Sequence, residues 1–113
     1  MAVQQAQIAW QKLAPALGAD LRIIQSEVAQ GVAQLFVWGG EYYTVLRAED
    51  TELVIVAGAG KNAAQYTAEI HLLAKRQGFK TVRLHTKKPD AMLRLGAKKL
   101  GYQAQETILR AVL

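Results

Sequence analysis

Residues 51–78 read TELVIVAGAGKNAAQYTAEIHLLAKRQG, and the fold turns on how this stretch divides. Glu52 to Ala57 (ELVIVA) is a near-continuous apolar run, the pattern of a central strand covered on both faces. Gly58-Ala59-Gly60-Lys61 reads as a glycine loop. Asn62 is a natural N-cap, and Gln65, three residues on, completes a capping-box spacing. Ala63, Tyr66, Ile70 and Leu73 mark the buried side of a helix that Gly78 ends. A strand, a glycine loop and a helix in that order put free helix N–H groups, and the positive end of the helix dipole, beside a loop that a ligand can approach closely. Phosphate binding is the chemistry such a unit favours, although a glycine turn before a helix is often only a turn. Two nucleotide signatures are absent. There is no GxxxxGK[ST], and Ala63 takes the last glycine position of GxGxxG.

Upstream, Trp10, Leu13, Ala14 and Leu17 share one helical face over residues 4–17, with Pro15 as a point of shortening or kinking. Asp20 is placed to cap a second helix, with Leu21, Ile24 and Val28 as its apolar stripe and Gly31 as its end. The period then changes. VAQLFVW (32–38) and EYYTVLR (41–47) are strands joined at Gly39-Gly40, a two-residue hairpin signal. Glu49-Asp50 turns the chain into ELVIVA, so three strands form a meander. Downstream, KTVRLHT (80–86) is a strand reached through a crossover helix and hence parallel to ELVIVA. Pro89 starts a further helix with Leu93, Ala97 and Leu100 inward, Gly101 ends it, and QETILRAVL (105–113) closes the chain as a strand. The expected order is α-α-β-β-β-α-β-α-β: a mixed α/β (α+β) sheet in one domain over residues 1–113.

Composition narrows the function classes. The 113 residues are 51% hydrophobic and 20% charged, which suits a packed core rather than a disordered chain. With no cysteine, disulfides, thiolate metal sites and cysteine nucleophiles are excluded. The start MAVQQAQIAW lacks the basic-then-apolar pattern of a signal peptide, and no apolar run approaches the roughly 20 residues that span a bilayer. A cytoplasmic protein is the expectation. The net charge of +5 is uneven: residues 1–60 hold three basic against six acidic residues, and residues 61–113 hold eleven against three. The basic half suits an anionic partner, either a phosphate-bearing cofactor or a nucleic acid, and equally a solvated basic surface. Aromatic residues interleaved with the charges, which single-stranded nucleic acids stack on, are lacking.

With these elements in place, the chain resembles the GNAT superfamily of acyl-CoA N-acyltransferases over roughly residues 20–113. The likeness lies in the element order, in ELVIVAGAG running into a helix, and in the ending MLRLGAKKLGYQAQETILRAVL. VAQLFVWGGEYYTVLRAED is similar to the meander of short GNAT-like proteins, bacteriophage-encoded ones among them. The resemblance implies an acetyl-CoA cofactor and an amine acceptor. It implies that Val56 and Ala57 pair with pantetheine and that main-chain N–H groups of Gly58, Ala59, Gly60, Lys61, Asn62 and Ala63 cradle the pyrophosphate. Gly58 and Gly60 fit the family's Gly-x-Gly; Ile55 stands where Gln or Arg is usual. The tyrosine acid common in the family falls at Ala97, and Tyr102 holds the usually structural aromatic position.

The candidate proton acceptors are Glu52, at the start of the central strand, and His85, near the carboxyl end of the next strand. Glu52 also reads as a turn residue, and His85 as an ordinary strand-end histidine. Members of that family usually carry a strand before the first helix, so the resemblance implies either that part of the acceptor site is missing or that a second subunit supplies it. The VAQLFVW edge, with Phe36 and Trp38, suits a homodimer. Two readings stand beside acetyl transfer: a GNAT-fold binding or regulatory protein without turnover, and a small basic nucleic-acid-binding protein.

Overall fold

The computed structural model describes residues 3–85, 103–105 and 108–113. Helix α1 spans Val3–Leu17, and a short 3-10 turn at Gly18–Asp20 leads into α2, Leu21–Ala29. Strands β1 (Gln34–Trp38), β2 (Tyr42–Glu49) and β3 (Glu52–Gly60) follow, then α3 (Ala63–Arg76) and β4 (Thr81–His85), and finally β5 (Gln103–Gln105) and β6 (Ile108–Val112). Among the described residues the strands form one sheet in the order β1-β2-β3-β4-β6-β5. The antiparallel meander β1-β2-β3 and the parallel β3–β4 pair are as the sequence pattern predicts. The helix expected from Pro89 lies outside the described residues.

The sheet is sandwiched. Leu13, Leu17 and Ile24 of α1 and α2 pack with Tyr43, Val45 and Ala57 on one face. Ile70 and Ala74 of α3 pack with Leu46, Ile55, Val82 and Leu84 on the other. Neighbouring residues of β2 point to opposite faces, and in β3 an extra residue, Val56, shifts the phase so that Ile55 and Ala57 face opposite sides. LVIVA (53–57) is apolar throughout because both faces of β3 are covered there, with Val54 and Ile55 each essentially inaccessible.

Several local expectations are corrected. Asp20 makes no capping bond; it closes the 3-10 turn, which carries α1 almost directly into α2. Pro15 is accommodated inside α1, in its last turn. Leu73 is exposed, and Ala74 takes its place in the core. The closing strand is a hairpin, β5 and β6, with β6 beside β4. Two corrections bear on function. Gly39 and Gly40 both take positive φ, as the hairpin signal predicts, but strand pairing begins at Trp38↔Tyr42, so Glu41 belongs to the turn and not to the strand. And Gly58-Ala59-Gly60 is not a loop: it continues β3, paired with β2 from Thr44↔Gly58 to Tyr42↔Gly60.

Candidate functional site

Among the described residues, β3 outruns β4. Its register with β4 runs from Glu52↔Thr81 to Ile55↔Leu84, whereas its register with β2 continues to Gly60. Between Val45↔Ala57 and Leu46↔Ile55 the β2 register slips by one, so Val56 is the extra residue of a β-bulge. A bulge bends its strand and adds twist. It sits one residue past the last β3–β4 pair among the described residues. Val56–Gly60 is thus bonded to β2 on one side and, among the described residues, unpaired on the side toward β4. Such an edge offers alternate N–H and C=O groups to an extended ligand over roughly 15 Å of strand. It is also the crevice at the carboxyl ends of parallel strands where ligands of α/β sheets collect.

The loop between β3 and α3 shrinks to Lys61-Asn62, both exposed. Asn62 occupies the N-cap position with φ 61° and ψ 38°, a left-handed conformation, and its side chain does not cap the helix. Its Nδ2 instead donates to Glu41 Oε2 at 3.0 Å. The Tyr66 hydroxyl donates to the same oxygen at 2.6 Å, and the Lys61 N–H to the Glu41 carbonyl at 3.0 Å. One turn residue therefore ties the β1–β2 hairpin to the start of α3. The hydrogen bonds from Tyr66 and Asn62, with the charge of Lys61, hold the Glu41 carboxyl below its usual range against a smaller desolvation effect. The same bond to Glu41 pushes the Tyr66 phenol up.

Beneath the loop the Tyr42 and Tyr66 rings stack, with centroids 5.9 Å apart and planes 8° from parallel. Burial raises the Tyr42 phenol, and its bond with Thr67 opposes the rise. These rings dictate glycines. A Cβ on Gly58 would meet Tyr42 Oη at 2.2 Å, and one on Gly39 would meet Tyr66 Oη at 2.0 Å. Gly60, at φ 128°, would place a Cβ 2.1 Å from the Glu41 carbonyl oxygen. Close packing of the protein on itself therefore requires both glycines of the Gly-x-Gly, whatever else binds there.

The structure brings together the whole expected binding stretch, Val56 to Ala63, at one end of the sheet. It places Glu52 elsewhere. Glu52 begins β3, eight residues and about 26 Å of strand from Gly60. Its carboxylate accepts from Arg110 Nε at 2.7 Å and Thr81 Oγ1 at 2.8 Å, and it pairs with Arg83 at 3.3 Å. Burial works to raise its pKa, yet the bonds from Arg110 and Thr81 and both nearby guanidinium charges leave it lowered. That is a carboxylate committed to a cross-strand ion ladder, which Glu49 and Arg47 extend to Glu27 on α2. Such a group is a poor proton acceptor for a reaction at the far end of β3, because its basicity is spent on fixed cations. His85 is the last residue of β4, one position beyond the Ile55↔Leu84 pair and so beside the crevice; its side chain lies outside what is described. Ala97 and Tyr102 also lie outside.

Sequence reasoning missed Glu41, Tyr42 and Tyr66 as parts of this end of the molecule. Tyr66 reads as the buried side of a helix, and Glu41 and Tyr42 as residues of the return strand. The only advance signal is the density of glycine around them, at 39, 40, 58 and 60.

A mixed sheet of this topology, with two helices on one face and the crossover helix on the other, is the GNAT-like fold. Comparison with solved structures bears this out. The chain is similar to a Bacillus subtilis acetyltransferase whose crystal structure is in complex with CoA, with a TM-score of 0.71 and 17% sequence identity over 95% of this chain and 92% of that one. No protein-family profile and no curated protein matches the chain. Among the described residues, no helix is long and apolar enough to cross a membrane.

Proposed function

We propose that the protein binds acetyl-CoA in the β3–β4 crevice and transfers the acetyl group to an amine. The observation that carries this reading is the edge of Val56–Gly60, unpaired toward β4 among the described residues, which ends at a helix whose N-cap side chain is turned away. An edge of this kind suits the two amides of pantetheine, laid against Val56 and Ala57 as an added strand would be. The pyrophosphate then falls beside Gly58, Ala59, Gly60, Lys61 and Asn62 and the N–H of Ala63, where the dipole of α3 and the Lys61 charge favour an anion. The likeness to an acetyltransferase in complex with CoA supports a CoA-type ligand.

In the transfer the amine nitrogen attacks the thioester carbonyl. The C–N bond forms, the C–S bond breaks, the CoA thiolate leaves, and the amine gives up a proton. With Glu52 engaged at the other end of the strand, His85 is the remaining candidate to accept that proton, on the strength of its position. The fixed state of Glu52 is also the observation that favours the second reading, in which the protein binds CoA without turnover.

Titration calorimetry with CoA and acetyl-CoA, followed by thiol release in the presence of a panel of primary amines, tests both. Binding with amine-dependent release of CoA is the expected result. Binding without release leaves only the second reading. Absence of binding at millimolar cofactor overturns both.

A further inference from the structure

Asparagine is among the best N-capping residues because its side-chain oxygen accepts an N–H from the first helical turn. Asn62 stands at that position and does not do so. It holds a left-handed backbone that a non-glycine residue adopts at a cost, and it spends its amide on Glu41. An N-cap ordinarily has extended backbone geometry. The native conformation of Asn62 is therefore imposed from outside the helix. The restraint is Glu41, through Asn62 Nδ2, through the main-chain N–H of Lys61, and through the Tyr66 hydroxyl one turn into α3. Glu41 is itself held in place, because the hairpin turn that carries it packs Gly39 against Tyr66 Oη.

We infer that Glu41 is a positioning residue for the anion site: by keeping Asn62 from capping α3, it leaves the N–H groups of Ala64 and Gln65 for a ligand's phosphates. This inference rests on the proposed CoA site. Its physical content is a competition. Without the Glu41 carboxylate, Asn62 relaxes to extended geometry and its side-chain oxygen takes an N–H of the first turn. A phosphate must then displace an intramolecular hydrogen bond. The Glu41 charge alone would repel the ligand, so a purely electrostatic role predicts tighter binding when it is removed. The competition predicts weaker binding.

The test compares wild type, Glu41→Ala, Glu41→Gln and the double variant Glu41→Ala/Asn62→Gly, with CoA as the probe in calorimetry. Glycine keeps the left-handed backbone and cannot cap. The expected result is a roughly five- to tenfold weaker Kd for Glu41→Ala, the worth of a typical N-cap, and recovery toward the wild-type Kd in the double variant. Glu41→Gln, which keeps one acceptor oxygen and serves if the alanine variant folds poorly, falls between them. A second readout needs no ligand: amide hydrogen exchange at Ala64 or Gln65 slows about fivefold in Glu41→Ala as the cap forms. Unchanged or tighter binding in Glu41→Ala, no recovery in the double variant, or unchanged exchange at these amides overturns the inference. If wild type binds no CoA, the proposed function fails, and the exchange measurement still decides whether Glu41 withholds the cap.

Discussion

The hydroxyl of Tyr42 occupies the space in which any side chain on Gly58 would begin, with a Cβ there only 2.2 Å from Oη. Tyr42 is 3% exposed and stacked on Tyr66, so it cannot swing away cheaply. Gly58→Ala is accordingly expected to destabilise the fold by about 1–3 kcal/mol, the usual cost of overpacking. Tyr42→Phe in the same chain should return part of that loss by removing the clashing oxygen. Urea denaturation of the two single variants and the double variant checks this through the coupling between the sites. Simple additivity would show that the two positions do not meet.

Most of the fold was legible because its signals are local. ELVIVA reads as a doubly covered strand from its composition, Gly39-Gly40 as a hairpin from its backbone freedom, and Asn62 to Gly78 as a helix from periodicity and end residues. The site was only half legible. The strand–helix transition marks the Val56–Ala63 stretch, but from sequence alone Gly58–Gly60 reads as a loop. Whether a glycine segment stays in a sheet depends on the length of its partner strand, and β2 extends to Tyr42. Nor could the chain show that Glu41 and Asn62 meet. They are separated by 21 residues and joined by a tertiary hydrogen bond that overrides a strong local capping preference. Glu52 misled for the complementary reason: its partners Thr81, Arg83 and Arg110 come from two distant strands.

Glu52 should matter for stability and not for the ligand. Glu52→Gln removes the charge that Arg110 and Arg83 share and weakens its bond with Thr81. A loss of about 2 kcal/mol is expected, the scale of hydrogen bonds to a charged group. The Kd for CoA should not follow it. Thermal melts and calorimetry on the one variant separate the two, and a large change in Kd with an unchanged Tm would place Glu52 in the binding machinery after all.

Acid sensitivity should come in two stages. Burial holds His71 below its ordinary 6.5, so its contribution is present above that pH and is lost as the pH falls below it. Glu41 and Glu52 are held below their ordinary 4.5, so their contributions are present above 4.5 and disappear as the pH falls through their lower folded-state values. Tm measured from pH 8 to pH 3 should show both limbs. His71→Gln should flatten the first and Glu41→Gln part of the second. A single limb unaffected by either substitution would contradict the assignment.

CoA affinity should weaken with salt, because Lys61 is exposed and the second half of the chain is strongly basic. Raising ionic strength from 0.05 to 0.5 M is expected to raise Kd several-fold, by screening alone. Lys61→Ala should reduce that dependence. A salt-independent Kd would show that main-chain groups alone hold the phosphates.

The most direct measurement is an amide chemical-shift titration of the isotope-labelled protein with CoA. The expected shifts lie along the open edge, Val56 to Gly60, and at the start of α3, Lys61 to Gln65, with little change along the ion ladder at Glu52 and Arg83. Absence of shifts at millimolar CoA, or shifts confined to residues away from the β3–α3 junction, would contradict a coenzyme site in the crevice.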